Sequence, residues 1–555
     1  MKTFILIFIC CLMAANAYCY NRQDSLRGSN GNGRSWWDVQ QYDLSIDLDT
    51  AQRSIRGDNI ISLKVTGTPH DSLQIDLQEG MFLDKVEWAD KTLNFIKDGN
   101  VYWVTYPFTT WQRGSTQILK LTYHGQPHEA INPPWDGGFI WTKDSTGKPC
   151  IAVACQGFGA SSWWPCKDYQ GDEPDNGMKI RFTNEPYAAT AISNGRFMDY
   201  DTVTVIDPVT EQPTKRIAYD AFHWEVRNPI NTYNATFYIG DYVHWHDTLL
   251  GEKGRLDLDF YALKYNETKA RKHFAVTKQM LHCFEYWMGP YPFYEDGYKL
   301  VEAPYLGMEH QSAVAYGNAY QMGYRGMDRS GTGVGLKFDY LIVHESGHEW
   351  FGNNITTEDI TDNWVHEGIT TYSETLFAEC LLGKAAAFEY ARGEWKKIQN
   401  DRPVIGDYGV NSEGSSDRYD KGAAVMHMIR MMLNDDERFR QLLRGLNRDF
   451  YHKIVTSAEV EAYISRFAGK NLQPFFDQYL RTTRIPILEW YRTRKTLHYR
   501  FANVPTSFEM PVMVQMGKSS TIMIGNEWHT FQGKRRRPVF SKDFLVEVQK
   551  VGRRD

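Results

Sequence analysis

The chain has 555 residues, of which 42% are hydrophobic and 14% aromatic, and its formal net charge at pH 7 is −6. At about 100–200 residues per domain, this length predicts roughly three domains. The negative net charge argues against a nucleic-acid partner, because a surface that binds phosphates is basic. The composition does not indicate an oligomeric state.

The N-terminal segment is typical of a secretory signal peptide. Lys2 precedes an apolar run over residues 4–13, and residues 15–17 (Ala-Asn-Ala) match the small-x-small pattern of a cleavage site. A run of about ten apolar residues is too short to cross a membrane. We therefore expect a signal peptide over residues 1–17, export to the periplasm or the cell exterior, and no transmembrane span in the mature chain.

Residues 36–243 show the alternation that is typical of β-strands. Every second residue is apolar over residues 42–48, and the same pattern recurs over residues 61–65 and 119–123. A period of two indicates a sheet with one buried face and one face in water. We predict an N-terminal antiparallel β domain over residues 36–243.

Five cysteines lie beyond residue 19. Cys150, Cys155 and Cys166 cluster within the predicted β domain, and Cys283 and Cys380 follow far apart. Export would permit a disulfide within the cluster. The sequence leaves the pairing open.

The spacing of apolar residues changes to that of helices after residue 243. Predicted helices cover residues 268–288, 336–352, 367–382, 385–398, 421–433, 436–446 and 456–467. Beyond Pro486, β-like runs return at residues 496–501, 511–514, 521–524 and 544–548. We predict an α+β multidomain protein, with a mostly helical domain over residues 244–484 and a small β domain over residues 485–555.

A metal-binding pattern lies within the second predicted helix. His344 and His348 are four residues apart, so on a helix they face the same side and can bind one Zn²⁺. Glu345 lies on the flank, where its carboxylate can reach a water molecule without being a ligand. Glu367 follows after eighteen residues and supplies a third ligand. Three protein ligands leave one position open, which is typical of a catalytic zinc ion, one per chain.

The last ligand of the zinc pattern lies in Trp364-x-x-Glu367-Gly368. Three further motifs accompany this first one. They are Gly307-Met308-Glu309, Tyr419-Asp420-Lys421-Gly422, and Cys155-Gln156-Gly157 ahead of Pro165-Cys166-Lys167-Asp168. In this order the four motifs resemble the aminopeptidase N-like zinc gluzincins, a family that includes leukotriene A4 hydrolase. The resemblance covers nearly the whole mature chain. It implies a thermolysin-like catalytic domain and a small C-terminal β-sandwich.

The resemblance also implies an activity, which is zinc-dependent removal of N-terminal residues from peptides through a metal-activated water. Glu345 would accept the proton of the water and pass it to the leaving amine. Tyr419 would donate a hydrogen bond to the oxyanion that forms in the transition state.

Recognition of a free N-terminus is implied for four residues. Glu309 would bind the α-ammonium group, since a desolvated carboxylate selects for this charge. Gln156 would add an amide oxygen as a second acceptor. Gly307 and Met308 complete the motif and are expected to contact the substrate.

Departures from the family pattern leave some points open. His310 and His366 stand where the family usually has asparagine, and we expect both imidazoles to lie near the metal and to titrate near neutral pH. The chain ends without the large helical domain of many relatives, so we expect a more open cleft. A zinc endopeptidase, an epoxide hydrolase on the same zinc, and an inactive peptide-binding protein remain as alternatives.

Overall fold

The computed structural model describes residues 20–184, 189–206, 213–516, 518–532 and 536–552. The predicted signal peptide over residues 1–17 therefore lies outside the described residues. Within them, every helix is too short or too polar to cross a bilayer. The protein has a β-rich N-terminal part and a helical part that follows it, so the predicted α+β class is confirmed.

The N-terminal part is built from fifteen strands among the described residues. They are β1 (Trp37–Asp49), β2 (Ser54–Val65), β3 (Ser72–Asp76), β4 (Met81–Trp88), β5 (Lys91–Thr92), β6 (Asn94–Asp98), β7 (Val101–Thr105), β8 (Thr116–Gly125), β9 (Gly138–Lys143), β10 (Pro149–Ala154), β11 (Met178–Asn184), β12 (Thr190–Ser193), β13 (Arg196–Ile206), β14 (Pro213–Val226) and β15 (Phe237–Gly240).

These strands form an eight-stranded sheet in the order β13-β14-β11-β1-β2-β8-β4-β5, and two smaller sheets, β12-β15-β10-β9 and β3-β7-β6. The large sheet is antiparallel except for the pair β1 and β11, which run parallel. The apolar residues of the predicted alternation, such as Tyr42, Leu44 and Ile46, are fully buried. The period of two therefore identified the buried face correctly.

The middle of the chain combines a five-stranded sheet with helices. The strands of this sheet are β16 (Tyr242–Gly251), β17 (Gly254–Leu263), β18 (Tyr298–Glu302), β19 (Gly307–Met308) and β20 (Val314–Tyr316), and a separate pair is formed by β21 (Ile355–Thr357) and β22 (Lys453–Val455). The helices of the described chain are α1 (Arg22–Gly28), α2 (Glu267–Phe274), α3 (Thr277–Met288), α4 (Tyr340–Gly347), α5 (Trp364–Leu382), α6 (Lys384–Glu394), α7 (Asp420–Leu433), α8 (Asp436–Asp449), α9 (Ser457–Ala468) and α10 (Gln473–Leu480).

Two predicted helices differ from the observed ones. The zinc-bearing helix is shorter than predicted, because Asp339 caps the N-terminus of α4 by accepting hydrogen bonds from the amides of Leu341 and Ile342. The predicted helix over residues 268–288 is divided into α2 and α3. The predicted helix over residues 456–467 corresponds to α9, which a capping box of Thr456 and Glu459 opens.

The five-stranded sheet, in the order β16-β17-β18-β20-β19, separates two apolar cores. Leu300 and Val314 point into the core that contains the helices, whereas Val301 and Ala315 point into the N-terminal core. This alternation follows from the period of two along a strand. The two cores share this sheet, so their packing does not define a boundary between domains. The domain bounds at residues 243 and 484 stay predictions.

The C-terminal part contains β23 (Ile487–Thr493), β24 (Thr496–Ala502), β25 (Met510–Met516), β26 (Lys518–Ile524), β27 (His529–Gln532), β28 (Val539–Phe540) and β29 (Glu547–Lys550). They form two small sheets, β27-β24-β23-β29 and β26-β25-β28. The rings of Trp490 and Phe540, one from each sheet, are in contact at 6.2 Å. The two sheets thus share an apolar layer, as in a β-sandwich.

The one disulfide among the described residues is not in the predicted cluster. Cys283 of α3 is bonded to Cys380 of α5, whereas Cys150, Cys155 and Cys166 are free and buried. The sequence permitted a bridge within the cluster but left the pairing open. The bridge instead joins residues 97 positions apart, at the point where two helices pack.

Candidate metal and active site

Three ligand atoms converge between α4 and α5. His344 lies in α4, His348 directly follows this helix, and Glu367 lies in the first turn of α5. The Nε2 atoms of the two histidines are 3.3 Å apart. Glu367 Oε2 lies 3.2 Å from Nε2 of His348 and 3.7 Å from Nε2 of His344. All three side chains are nearly inaccessible to solvent.

This spacing fits a tetrahedral zinc ion. Ligand distances of about 2.0–2.1 Å place the corners of the tetrahedron about 3.3 Å apart. Glu367 Oε2 is buried without a hydrogen-bond partner among the described residues, which is unfavourable unless a cation binds it. Although burial would raise the pKa of Glu367, His348 and His344 hold it well below its usual range. The three predicted ligands therefore come together with the spacing that zinc requires.

Each histidine is oriented through its other ring nitrogen. His344 Nδ1 lies 2.8 Å from Oε1 of Glu374, a residue two turns beyond Glu367 on α5. His348 Nδ1 lies 3.0 Å from the carbonyl oxygen of Phe351. The chain leaves helical geometry at this point, where Gly352 has φ of 126°. These contacts fix which nitrogen of each imidazole faces the metal position.

Glycines allow the helices of the site to approach each other. A Cβ on Gly347 would lie 2.5 Å from Ser373 Oγ, and one on Gly368 would lie 2.7 Å from Cα of Gly422. Gly368 follows the ligand Glu367, and Gly422 belongs to the motif that contains Tyr419. The contact between these two glycines brings α5 and α7 together and so places Tyr419 beside the ligands.

Glu345 lies beside β19, as the resemblance predicted for a residue that acts on the substrate. A Cβ on Gly307 would lie 2.9 Å from Glu345 Oε1, which explains the glycine at this position. Burial raises the pKa of Glu345 to about 7, against the opposing effect of His344. The buried side chain of Met308 lines the same cavity.

Glu309 is the first residue after β19 and its carboxylate lies next to the metal position. Ligand atoms of Glu309, Glu345 and His348 lie within 4.8 Å of one another. Burial raises the pKa of Glu309, and the charge of Glu367 raises it further against the effect of His348. A carboxylate in these surroundings is well placed for a substrate cation.

Two side chains hold Glu309 in position. Its Oε1 accepts hydrogen bonds from Gln156 Nε2 at 2.5 Å and from the hydroxyl of Tyr233 at 3.1 Å. Gln156 Nε2 also lies 3.2 Å from Oε1 of Glu367. Gln156 thus orients Glu309, in addition to the acceptor role that the sequence predicted for its amide oxygen.

Tyr419 precedes α7 and lies over the metal ligands. Its ring is stacked on that of His344 with centroids 6.0 Å apart. Burial and the charge of Glu367 raise its pKa well above the usual value, so the phenol stays a donor. Lys421, from the same motif, is fully buried and donates to the carbonyl oxygen of Thr482, so its role is to anchor the helix.

The expectation that the two unusual histidines titrate near neutral pH is wrong. His310 and His366 are fully buried, and burial lowers the pKa of each to about 3. Both are therefore neutral at neutral pH. His310 Nδ1 lies 2.8 Å from the hydroxyl of Tyr238, and His366 Nε2 accepts a hydrogen bond from the amide of Thr357. Neither side chain belongs to the set of ligand atoms around the metal position.

The site opens into a cavity of about 750 Å³. The predicted residues Gln156, Gly307, Met308, Glu309, His344, Glu345, His348, Glu367 and Tyr419 all line it. Sequence reasoning missed Glu374 and Tyr233, which orient His344 and Glu309. The position of Glu374, seven residues after Glu367, places it on the same face of α5, and this spacing could have revealed it. Tyr233 carries no such signal.

Comparisons with known proteins agree with this site. The model of the peptidase family M1 domain matches residues 273–479. Leukotriene A-4 hydrolase of Xenopus laevis is 24% identical over 457 residues, which cover 77% of this chain and 68% of that protein. This match spans the N-terminal part as well as the helices.

Solved structures share the fold. A mutant M1 zinc metallopeptidase from Deinococcus radiodurans, bound to a Tyr-Ser-Ala substrate, has a TM-score of 0.64 at 20% identity and covers 81% of this chain and 95% of its own. Aminopeptidase A of Legionella pneumophila, in complex with aspartic acid, has a TM-score of 0.74 at 15% identity, covering 93% of this chain and 60% of its own. The resemblance inferred from the motifs is confirmed: residues 273–479 match the peptidase family M1 domain, and the chain is similar to leukotriene A-4 hydrolase over most of its length.

Proposed function

We propose that the protein is an exported zinc-dependent aminopeptidase that hydrolyses the N-terminal peptide bond of peptides. The observation that carries this proposal is the position of Glu309. Its carboxylate is 3% exposed and lies next to the metal ligands. A carboxylate there binds an α-ammonium group one residue from the scissile bond, and a peptide chain that continued past it would be excluded. Export rests on the signal-peptide pattern of residues 1–17.

The residues of the site have distinct tasks in this reaction. His344, His348 and Glu367 would hold the zinc ion, which activates a water molecule and polarises the scissile carbonyl when it is bound. Glu345 accepts the proton of the attacking water at its carboxylate and transfers it to the leaving amine. Burial raises the pKa of this carboxyl group, which favours its acceptance of a proton.

Tyr419 and Gln156 complete the arrangement. The Tyr419 phenol donates a hydrogen bond to the oxyanion, whose charge exists only in the transition state. Gln156 keeps the Glu309 carboxylate directed at the ammonium group. Gly307 and Met308 form the wall between Glu309 and Glu345, where the first residue of the substrate would lie.

The test compares an aminoacyl amide that has a free amine with its N-acetylated form, with zinc and after chelation. We expect hydrolysis of the free-amine substrate alone, and loss of activity with the chelator. Glu309→Gln keeps the shape of the side chain but removes its charge, so kcat/KM should fall by roughly a hundredfold or more, mostly through KM. Glu389→Gln, an exposed carboxylate on α6, is the matched control. Equal cleavage of the acetylated substrate would exclude an aminopeptidase.

A further inference from the structure

A second cavity lies where the two C-terminal sheets meet the helical part of the chain, and its volume is about 450 Å³. Trp490 of β23, Phe540 of β28 and Val548 of β29 line it from the sheets, and Trp395 lines it from the 3₁₀ turn that follows α6. We call it the C-terminal cleft. Within the described residues it shares no lining side chain with the cavity of the metal ligands, and the reaction described above does not use it.

The exposed side chains of the cleft are cationic. Arg537, Lys542 and Lys550 line it and are exposed to solvent. None of the three makes an ion pair with another described residue. Of the lining residues that the structure describes, none is acidic. The cleft therefore presents three cations to a ligand.

The two carboxylates nearest in sequence point away from the cleft. Asp543 forms an ion pair with Arg392 of α6. Glu547 lies on β29 between Val546 and Val548, which both line the cleft. Because successive side chains of a strand point to opposite faces, that of Glu547 is directed to the other face of the sheet. These two residues thus leave the charge of the cleft uncompensated.

The C-terminal part as a whole is basic, in contrast to the rest of the chain. Residues 485–555 contain 13 lysines and arginines and 6 aspartates and glutamates, whereas the whole chain contains 62 and 68. The remainder of the chain therefore carries a net negative charge. A positive patch on an otherwise acidic protein attracts an acidic partner to that patch.

The floor of the cleft is apolar. Trp490, Phe540 and Phe544 line it and are between 5% and 8% exposed. The Trp490 ring is already in contact with Phe540 and with Lys550, whose Nζ lies 5.9 Å from its centroid. A polysaccharide is polar over most of its surface and would gain little from this floor. An apolar floor beside exposed cations instead fits a polypeptide that carries apolar and acidic side chains.

One wall of the cleft is the free edge of a sheet. In the part of the chain that the structure describes, β29 is the last strand of its sheet, and all four of its residues are exposed. The amides of Glu547 and Val551 donate to carbonyl oxygens on the β23 side. The amides of Val548 and Lys550 therefore face the free edge. Such an edge can pair with one more strand.

We propose that the C-terminal cleft docks an extended segment of another polypeptide, which adds to β29 as one more strand about 4.8 Å away. On β29 the residues that face the cleft are Val546, Val548 and Lys550. The matching residues of the segment, every second one along its chain, would be apolar and then acidic. The apolar ones cover the floor, and the acidic ones bind Arg537, Lys542 and Lys550. This docking does not depend on the proposed aminopeptidase activity.

The test measures binding by fluorescence anisotropy, with the peptide Gly-Val-Ser-Val-Thr-Glu-Ser-Asp-Gly as the probe. The dye is attached to the N-terminus, so an aminopeptidase does not degrade the probe. A second peptide has Gln and Asn in place of Glu and Asp, and we expect its dissociation constant to be roughly threefold to thirtyfold higher. This difference should shrink when salt rises from about 50 to about 500 mM. A third peptide of the same composition, Gly-Val-Val-Ser-Thr-Ser-Glu-Asp-Gly, loses the alternation and should bind several-fold more weakly than the probe.

Variants assign the binding to the cleft. The double variant Arg537→Gln, Lys542→Gln should weaken binding of the acidic probe at least several-fold. Arg494→Gln, Lys495→Gln removes the same charge from the exposed turn between β23 and β24 and should change binding less than about twofold. Val548→Pro removes an amide from the free edge, where proline is tolerated, and should weaken binding as well. Melting temperatures identify any variant that does not fold.

The outcomes separate docking from the proposed activity. Equal binding of the acidic and the neutral peptide would overturn the proposal, and so would unchanged binding in the folded Arg537→Gln, Lys542→Gln variant. Binding of phosphatidylglycerol vesicles or of polygalacturonate, without binding of the acidic peptide, would assign the cleft to a lipid or a polysaccharide and also overturn it. Hydrolysis of the free-amine substrate is measured for each variant and should keep its wild-type rate, so loss of docking and absence of the proposed activity remain distinct results.

Discussion

At the metal end of the cavity, His344, His348 and Glu367 are between 1% and 4% exposed, whereas the side chains of Arg329 and Lys397 at the other end are 22% and 32% exposed. The metal ligands lie on or next to α4 and α5, two helices whose glycines permit close packing. Arg329 lies on a loop and Lys397 on a short 3₁₀ turn. The side chains at one end of the cavity are thus held by packed helices, and those at the other end by a loop and a turn.

The difference corresponds to what each end has to do. Ligands for a metal must lie within a few tenths of an ångström of one geometry, so each histidine is held by a second contact, from Glu374 and from Phe351. Side chains that only line the cavity tolerate more variation, and loops are where such variation is usually found. Substitutions at the two ends should therefore differ in kind, affecting catalysis and metal binding at one end and substrate preference at the other.

Tyr419 provides the largest expected effect, because its phenol lies beside the metal ligands as the proposed donor to the oxyanion. Tyr419→Phe removes the hydroxyl that donates to the oxyanion but keeps the ring stacked on His344. We expect kcat to fall by roughly 10²–10³-fold with KM and melting temperature nearly unchanged. Tyr408→Phe removes a hydroxyl from the same loop outside the cavity and should change kcat less than about twofold. A similar loss in both variants would show that the loop, and not the oxyanion contact, is responsible.

Local patterns explain how much of this site could be predicted from the sequence. The alternation of Tyr42, Leu44 and Ile46 identified a buried strand face, because neighbours in sequence determine which side of a sheet is apolar. His344 and His348 could be assigned to one metal because a helix turns once in about 3.6 residues. Tyr419 and Glu309 came from motif resemblance, and they do line the cavity with the ligands.

The features that sequence missed or mistook depend on contacts between distant segments. Cys283 meets Cys380 because α3 packs on α5, and the sequence left this pairing open. The neutrality of His310 and His366 follows from complete burial, which adjacent residues do not reveal. Arg329 reaches the cavity from a loop without a recognisable pattern. These features are determined by tertiary packing, and the periodicity and spacing of residues along the sequence do not predict them.

Glu374 tests whether the metal end depends on support beyond the three ligands. Glu374→Gln keeps a side chain of the same shape but weakens the contact with His344 Nδ1 and with the Tyr390 hydroxyl. We expect the dissociation constant for zinc to rise roughly 10–100-fold, measured by competition with a chelator, while kcat at saturating zinc falls less. Glu389→Gln, exposed on α6, should leave zinc affinity unchanged. Unaltered affinity in Glu374→Gln would mean that the ligands hold their geometry without this contact.

The last prediction concerns stability instead of activity, at the turn that orients His348. Thr356 Oγ1 lies 2.6 Å from Oε1 of Glu173 and 2.9 Å from the carbonyl oxygen of Gly352. Burial raises the pKa of Glu173 to about 7. The Thr356 hydroxyl has one proton, so a protonated Glu173 can donate to Thr356, which in turn donates to Gly352. Protonated Glu173 thus completes a chain of hydrogen bonds through Thr356 to the carbonyl oxygen of Gly352, in the turn that orients His348.

The sign of the pH dependence follows from this raised pKa. Below pH 4.5, Glu173 is protonated in the folded and the unfolded chain and contributes no pH dependence. As pH rises from 4.5 to about 7, Glu173 ionises in the unfolded chain but stays protonated in the folded protein. The free energy of unfolding therefore falls over this range.

Glu173→Gln stays neutral and keeps an N–H donor for Thr356. Its free energy of unfolding relative to wild type should therefore rise over this range, by up to about 3 kcal/mol. Urea unfolding of the zinc-free proteins at pH 4, 5.5 and 8 measures this difference. A difference that is constant with pH would show that Glu173 ionises as readily in the folded protein as in the unfolded chain, and that the hydrogen bonds to Gly352 do not depend on its proton.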